Sequence, residues 1–240
     1  MPRLLLFDID GTLLDTGGEG GKALLDAVED VFGISRDRIP KLDLAGATDG
    51  GITRQIMGHL GREFDASRVA EYHRSYLHHL QRRLHAEDFG GTLLPGVARL
   101  LPLLAGMEEF HLGLLTGNLR SGAEHKLRRF GIWEYFVDGA FGDDADDRNL
   151  LGPFAKARIE RALGTSYAAN DIFVIGDTPK DIACAHAIGA RSIAVTTGSF
   201  QRHQLELHSP WIVLDSLEAD SFFSVIGDRP AADAVVAHAA

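Results

Sequence analysis

The run Leu4-Leu5-Leu6-Phe7, followed at once by Asp8-Ile9-Asp10-Gly11-Thr12, restricts this chain more than any other stretch. Four consecutive apolar residues ahead of a turn read as a strand buried on both faces, as inside a parallel sheet. Asp8 and Asp10 then project to the same side of the extended chain, and Gly11 lets the backbone turn away without a Cβ clash. The sheet edge therefore carries two close anions. Such a pair is unfavourable unless a cation neutralises it, and a donor set made only of oxygen suits Mg²⁺. The alternative is an acidic turn in which Asp10 or Thr12 caps the next element, and this motif alone leaves both readings open.

The rest of the chain supplies partners for the first reading. A glycine-rich segment over 16–21 has the composition of a hinge. Helical periodicity appears over 22–32, again from Thr48-Asp49 with Ile52, Ile56, Met57 and Leu60, and over 67–85 with Val69, Tyr72, Tyr76, Leu80 and Leu84. Residues 17–88 thus hold helices and no strand, so they are expected to form a helical insertion in a core of 1–16 and 89–240. His73, His78, His79 and His85 lie on the last of these helices without a metal-binding spacing, and they read as a solvated face.

Beyond 92–96 strands and helices alternate. A helix over 97–104, bent or shortened at Pro102, precedes a strand over 111–115 that ends in Thr116-Gly117-Asn118. A helix over 121–130, an extended stretch over 137–141, an acidic loop over 142–149 and a helix over 153–163 come next. The strand over 171–175 ends in Gly176-Asp177-Thr178-Pro179-Lys180-Asp181. A helix over 182–188 stops at Gly189, and short strands over 191–195 and 211–214 lead to an Ala-rich end that reads as helix or disordered tail. Repeated units of this kind build an α/β fold, a doubly wound parallel-sheet (Rossmann-like) core with helices on both faces. Ligands bind there at the carboxyl ends of strands. Asp8, Asp10, Thr116, Asp177 and Asp181 all fall at that edge.

The net charge of −10 argues against nonspecific binding to nucleic acid or to an anionic membrane. It does not oppose a small phosphorylated substrate, because a local cation can reverse the field at a site. The single cysteine, Cys184, has no partner for an intramolecular disulfide and reads as a buried thiol. No signal peptide or membrane-spanning segment is evident, so a cytoplasmic protein, monomer or homodimer, is expected.

Asp8-Ile9-Asp10-Gly11-Thr12, Leu115-Thr116-Gly117-Asn118 and Gly176-Asp177-Thr178-Pro179-Lys180-Asp181 resemble three signature motifs of the haloacid dehalogenase-like hydrolases. The helical insert is similar to that superfamily's type 1 cap, and the likeness is strongest to phosphoglycolate phosphatase-like members. The resemblance implies a phosphatase that works through an aspartyl phosphate on Asp8, with Asp10 as acid and then base. It implies Mg²⁺ held by Asp8, Asp177 and the backbone carbonyl of Asp10, with Asp181 behind them or reaching the ion through water. Thr116, Gly117 and Asn118 would hold phosphoryl oxygens. Gly46-Ala47-Thr48-Asp49 resembles a cap loop of these members that would present Thr48 and Arg54 to substrate, and the alternative is that Asp49 merely caps a helix.

The family also uses a cation ahead of the helix that precedes the Asp177 strand. The usual Lys-Pro is absent, and Arg148 in the loop is favoured over Lys156, which lies about a turn inside the helix. A carboxylate at Asp10 argues for phosphoryl transfer over carbon–halogen cleavage, which needs no acid for an alkoxide. A phosphomutase on the same core stays open. Phosphonate cleavage would need a cap lysine, and the insert offers only Lys22 and Lys41. A phosphoacceptor receiver domain, the alternative of a different class, needs no insert after its first strand.

Overall fold

The computed structural model describes residues 2–39, 42, 44–61 and 65–227. In chain order the elements are β1 (Arg3–Phe7), β2 (Leu14–Asp15), α1 (Glu19–Phe32), α2 (Asp49–His59), α3 (Ala66–Leu84), β3 (Thr92–Leu93) and α4 (Val97–Ala105). Then come β4 (Phe110–Leu115), α5 (Arg120–Arg129), β5 (Gly139–Ala140), α6 (Leu151–Leu163), β6 (Ile172–Gly176) and α7 (Pro179–Ala187). The chain continues through β7 (Arg191–Val195), α8 (Arg202–Glu206), β8 (Ile212–Leu214) and α9 (Ala219–Ile226).

Six strands pair in the order β5-β4-β1-β6-β7-β8, and every pairing is parallel. The chain runs outward from β1 through β4 to β5, then returns to β6 and runs outward the other way. The reversal falls between β1 and β6. Residues alternate across the sheet, and both sides are dry. Leu5 and Phe7 pack with Leu112, Leu114, Phe173 and Ile175 under α4, α5 and α9. Leu4 and Leu6 pack with Leu115, Ile172 and Val174 under α6 and α7. That two-sided burial is what an unbroken apolar run requires, since each fully buried Leu contributes about 1.5–3 kcal/mol.

Helices α1, α2 and α3 share a third core, with Leu24, Val28, Ile56, Tyr72, Tyr76 and Leu80 buried together. Core residue Leu119 joins them, so this cluster leans on the sheet edge. Where the chain leaves and re-enters the sheet domain, β2 and β3 form a two-stranded antiparallel ribbon. Sequence periodicity does not register strands of two residues, and it also misses α9, whose Phe222 and Phe223 fill the first core. Helix α4 runs on through Pro102 to Ala105. The Ala-rich end beyond 227 lies outside the described residues.

The histidine-bearing helix is not uniformly solvated. His78 and His85 are exposed, whereas His73 Nε2 lies 3.0 Å from the Thr53 hydroxyl and His79 Nε2 lies 2.6 Å from Asp30. No helix among the described residues is long and apolar enough to cross a membrane.

Candidate active site

Register decides which side chains meet. Phe7 pairs with Leu114 on one side and Ile175 on the other, so Thr116 and Asp177 leave the neighbouring strands one residue beyond the level of Asp8, and all three stand at one edge. Asp8 and Asp177 straddle the reversal between β1 and β6. Gly11, at φ 80°, turns the chain back, and a Cβ there would press on the Asp177 carboxylate at 2.5 Å. Glycine is required at that point on both counts. Thr12 donates to Asp177 Oδ1 at 3.1 Å, which ties the first motif to the last.

Asp8, Asp177 and Asp181 are buried, and one oxygen of each lies within 4.8 Å of the others. One cation, Arg148, enters the cluster. It donates through Nη2 to Asp181 Oδ1 at 2.5 Å and to the Leu115 carbonyl at 3.1 Å, and it stands 3.1 Å from Asp8 Oδ1. Asp181 Oδ2 is occupied by the backbone N–H and hydroxyl of Thr178 at 3.0 and 2.7 Å, within the capping box that starts α7. Burial raises the carboxyl pKa of Asp8 above the usual range against the pull of Arg148. Burial, reinforced by Asp181 and Asp8, raises that of Asp177. Burial would loosen the proton of Arg148, but Asp181 and Asp8 outweigh it and hold the guanidinium charged. The cluster holds more anions than cations, on side chains that are almost wholly buried. An all-oxygen donor set with excess negative charge fits a hard divalent cation such as Mg²⁺.

On the other side Asp10 is half-exposed and held differently. Lys126 Nζ, nearly buried on α5, donates to Asp10 Oδ1 and Oδ2 at 2.8 and 2.6 Å and to Asn118 Oδ1 at 2.6 Å. Asn118 Nδ2 donates in turn to Asp10 Oδ2 at 2.8 Å and to the Thr116 hydroxyl at 2.9 Å. A cavity of about 570 Å³ opens between the two halves, and Asp8, Asp10, Thr116, Gly117, Asn118, Arg148 and Asp177 line it. The 44–47 loop of the helical insert also lines it. A second cavity of about 240 Å³ adjoins it beneath the insert, reached past Asp10 and Asn118 and lined also by Lys126, Asp49 and Tyr76.

The insert docks on the sheet edge through the residues around Thr48. Asp49 donates its N–H to the Gly117 carbonyl at 2.7 Å and accepts the Leu119 N–H at 2.8 Å. The Thr48 hydroxyl caps α2 by accepting the Gly51 N–H and donates to the Asp146 carbonyl at 2.6 Å. Arg54 pairs with Asp146. Thr48 and Arg54 are therefore not brought into the cavity that holds Asp8. Lys22 pairs with Glu19 at 2.5 Å, and Lys41 lies outside the described residues.

The acidic loop bears on the choice of cation. Asp143 accepts the Arg120 N–H, Asp144 pairs with Arg158, Asp146 with Arg54, and Asp147 caps the turn at Asn149. Each acid has its own partner, so Arg148 turns inward. Lys156 instead pairs with Glu160 at 2.8 Å on the outer face of α6. The residue that sequence reasoning overlooked is Lys126. Its signal was there: Gly122, Ala123, Lys126 and Leu127 form one buried stripe of α5, and a lysine on such a stripe needs an anion.

Residues 2–189 match the family of haloacid dehalogenase-like hydrolases. The probable phosphatase IndB of Dickeya dadantii is 28% identical, over 95% of this chain and 93% of that protein. A phosphoglycolate phosphatase of Photobacterium profundum is 26% identical, over 89% of this chain and 91% of its own length. The crystal structure of a hydrolase from Pseudomonas syringae superposes with a TM-score of 0.70 over 95% of this chain and the whole of that one, at 19% identity, and shares the fold. With the parallel sheet, the acidic edge and the match over residues 2–189 in agreement, the chain belongs to the haloacid dehalogenase-like hydrolase family.

Proposed function

We propose that this chain, a phosphoric monoester hydrolase of the family, cleaves a small phosphate monoester through a phosphorylated Asp8. The observation that carries the reading is Asp8 itself. It is buried at the end of β1, 3.1 Å from the Arg148 guanidinium and beside two further carboxylates, and it faces a cavity with Asp10 on the opposite side. Asp8 and Asp177, with the Asp10 backbone carbonyl, would hold Mg²⁺, and Asp181, with both oxygens engaged, would stand behind them. When bound, the ion supplies positive charge that offsets repulsion between an anionic nucleophile and an anionic phosphoryl group.

The residues divide the chemistry. A carboxylate oxygen of Asp8 attacks phosphorus as the ester P–O bond breaks, and Asp10 gives the leaving oxygen a proton. Asp10 then takes a proton from water, which attacks the phosphorus, breaks the bond to Asp8 and frees phosphate. Arg148 orients Asp8 and adds charge to the phosphoryl site, and the Thr116 hydroxyl and the Gly117–Asn118 backbone receive phosphoryl oxygens. We assign residues 17–88 as the cap over this site, with 1–16 and 89–240 as the catalytic core. The β2–β3 ribbon sits at the two crossings, which supports those limits. The cavity beneath the cap would take the leaving group, and phosphoglycolate is the candidate that the curated relatives suggest. A panel of small phosphate monoesters, 2-phosphoglycolate included, assayed with Mg²⁺ and with EDTA tests the reading. Turnover with Mg²⁺ and none with EDTA supports it; no turnover of any ester, or full activity in Asp8→Asn, overturns it.

A further inference from the structure

The Asp10 carboxylate is 43% exposed, in contrast to the buried acids around Asp8. An aspartate so placed at a sheet edge would ordinarily sample several rotamers. Here both of its oxygens are engaged. Lys126 reaches Oδ1 and Oδ2, and Asn118 Nδ2 reaches Oδ2 again, while Lys126 and Asn118 bond each other. The result is a closed ring of three side chains. We propose that Lys126 is a positioning residue: locked to Asn118, its ammonium holds the Asp10 carboxylate at the passage between the two cavities. This rests on Asp10 acting as the acid and base of the proposed reaction.

Two competing roles for Lys126 fit less well. For substrate binding, Lys126 does line the smaller cavity, but its ammonium is already engaged by both Asp10 oxygens and by Asn118 Oδ1. Nor is it a packing residue. Its side chain is only 4% exposed, on a stripe otherwise made of Gly122, Ala123 and Leu127, and the first turn of α1 passes over it at Gly20. Taking an ammonium out of water there is unfavourable, and an apolar side chain would avoid that cost. The geometry returns that cost as orientation. Asp10 and Asn118 line both cavities, whereas Lys126 lines only the smaller one. The ammonium thus draws Asp10 from behind, toward the chamber into which a leaving group would depart. Asn118 carries the restraint on to the Thr116 hydroxyl at 2.9 Å, so acid and phosphoryl loop are set in one frame.

The test compares p-nitrophenyl phosphate with phenyl phosphate, whose leaving group needs a proton far more. Wild-type turnover of either ester examines the phosphatase reading by itself. In Lys126→Met, kcat/KM for phenyl phosphate should fall by about 100-fold or more, and for p-nitrophenyl phosphate by at most about tenfold. In an Asp10→Asn background the same substitution should cause no further loss, since the two residues act as a unit. A crystal structure of Lys126→Met, which does not depend on turnover, should show the Asp10 carboxylate turned from its place. Lys126→Gln, which keeps an N–H donor group but not the charge, gives the same comparison if the methionine variant does not fold. Equal losses with both esters, additive losses with Asp10→Asn, or an unmoved Asp10 would each overturn the proposal.

Discussion

The two halves of the site solve one electrostatic problem in different ways. Around Asp8, three buried carboxylates meet a single guanidinium, and negative charge is left over. Around Asp10, one half-exposed carboxylate meets one ammonium and an amide, and the charges balance. The first half asks for a further cation. The second is complete within the protein, so its cation orients instead of recruiting. Charge counting at a sheet edge thus separates a half suited to a metal ion from a half suited to holding one carboxylate in place, although both begin in the same five-residue motif.

Substitutions can break this contrast, and Asp8→Asn should have the largest effect. Loss of the nucleophile should remove turnover by more than about 1,000-fold, measured after excluding deamidation by mass spectrometry. Full activity in that variant would move the nucleophile elsewhere. Next comes the cation of the anionic half. Arg148→Ala should lower kcat about 100-fold, the usual cost of removing one charge-stabilising donor, and it leaves Asp8 and Asp181 buried without a countercharge. Lys156→Ala, which breaks only a surface pair with Glu160, should stay close to wild type. The reverse order in steady-state kinetics would show that the cation was chosen wrongly.

Asp177→Asn sharpens the comparison further, since it removes charge from the half that has too much. The Mg²⁺ concentration for half-maximal activity should rise roughly tenfold or more, while the melting temperature without metal holds or increases. An unchanged Mg²⁺ requirement would mean that Asp177 is not a ligand.

The smallest effect is expected at Asp49, a carboxylate at the rim of the second half whose partner is a peptide N–H. Burial pushes its carboxyl up to about 6 from 3.8. A group raised in the folded chain contributes stability that is complete below its unfolded value and is lost as pH rises through the folded one. The stability that Asp49 contributes should therefore fall between about pH 4 and pH 6. Asp49→Asn, which stays neutral and can still accept the Leu119 N–H, should remove that part of the pH dependence and melt a few degrees higher near pH 7.5. Parallel melting curves of the two proteins across this range would refute it.

Much of this was legible in the chain itself. An apolar run of four, two acids and a glycine specify a doubly buried strand and an acidic edge, because both the run and the turn depend on neighbours in sequence. The order of the motifs then placed Asp8, Thr116 and Asp177 at one edge, since parallel strands connected by helices all present their carboxyl ends together. Even Arg148 over Lys156 came from position, loop against helix. Contacts between elements were not legible in this way. Lys126 meets Asp10 across 116 residues, and that contact depends on how α5 lies against the sheet edge, which no local pattern encodes. The loop around Thr48 read either as a substrate contact or as a helix cap at Asp49; the docking of the insert against Asp146 and Gly117 gave the Thr48 hydroxyl to the backbone. Local sequence sets which side chains stand on a strand end or a helix stripe, but only the packing of those elements decides which charge faces which.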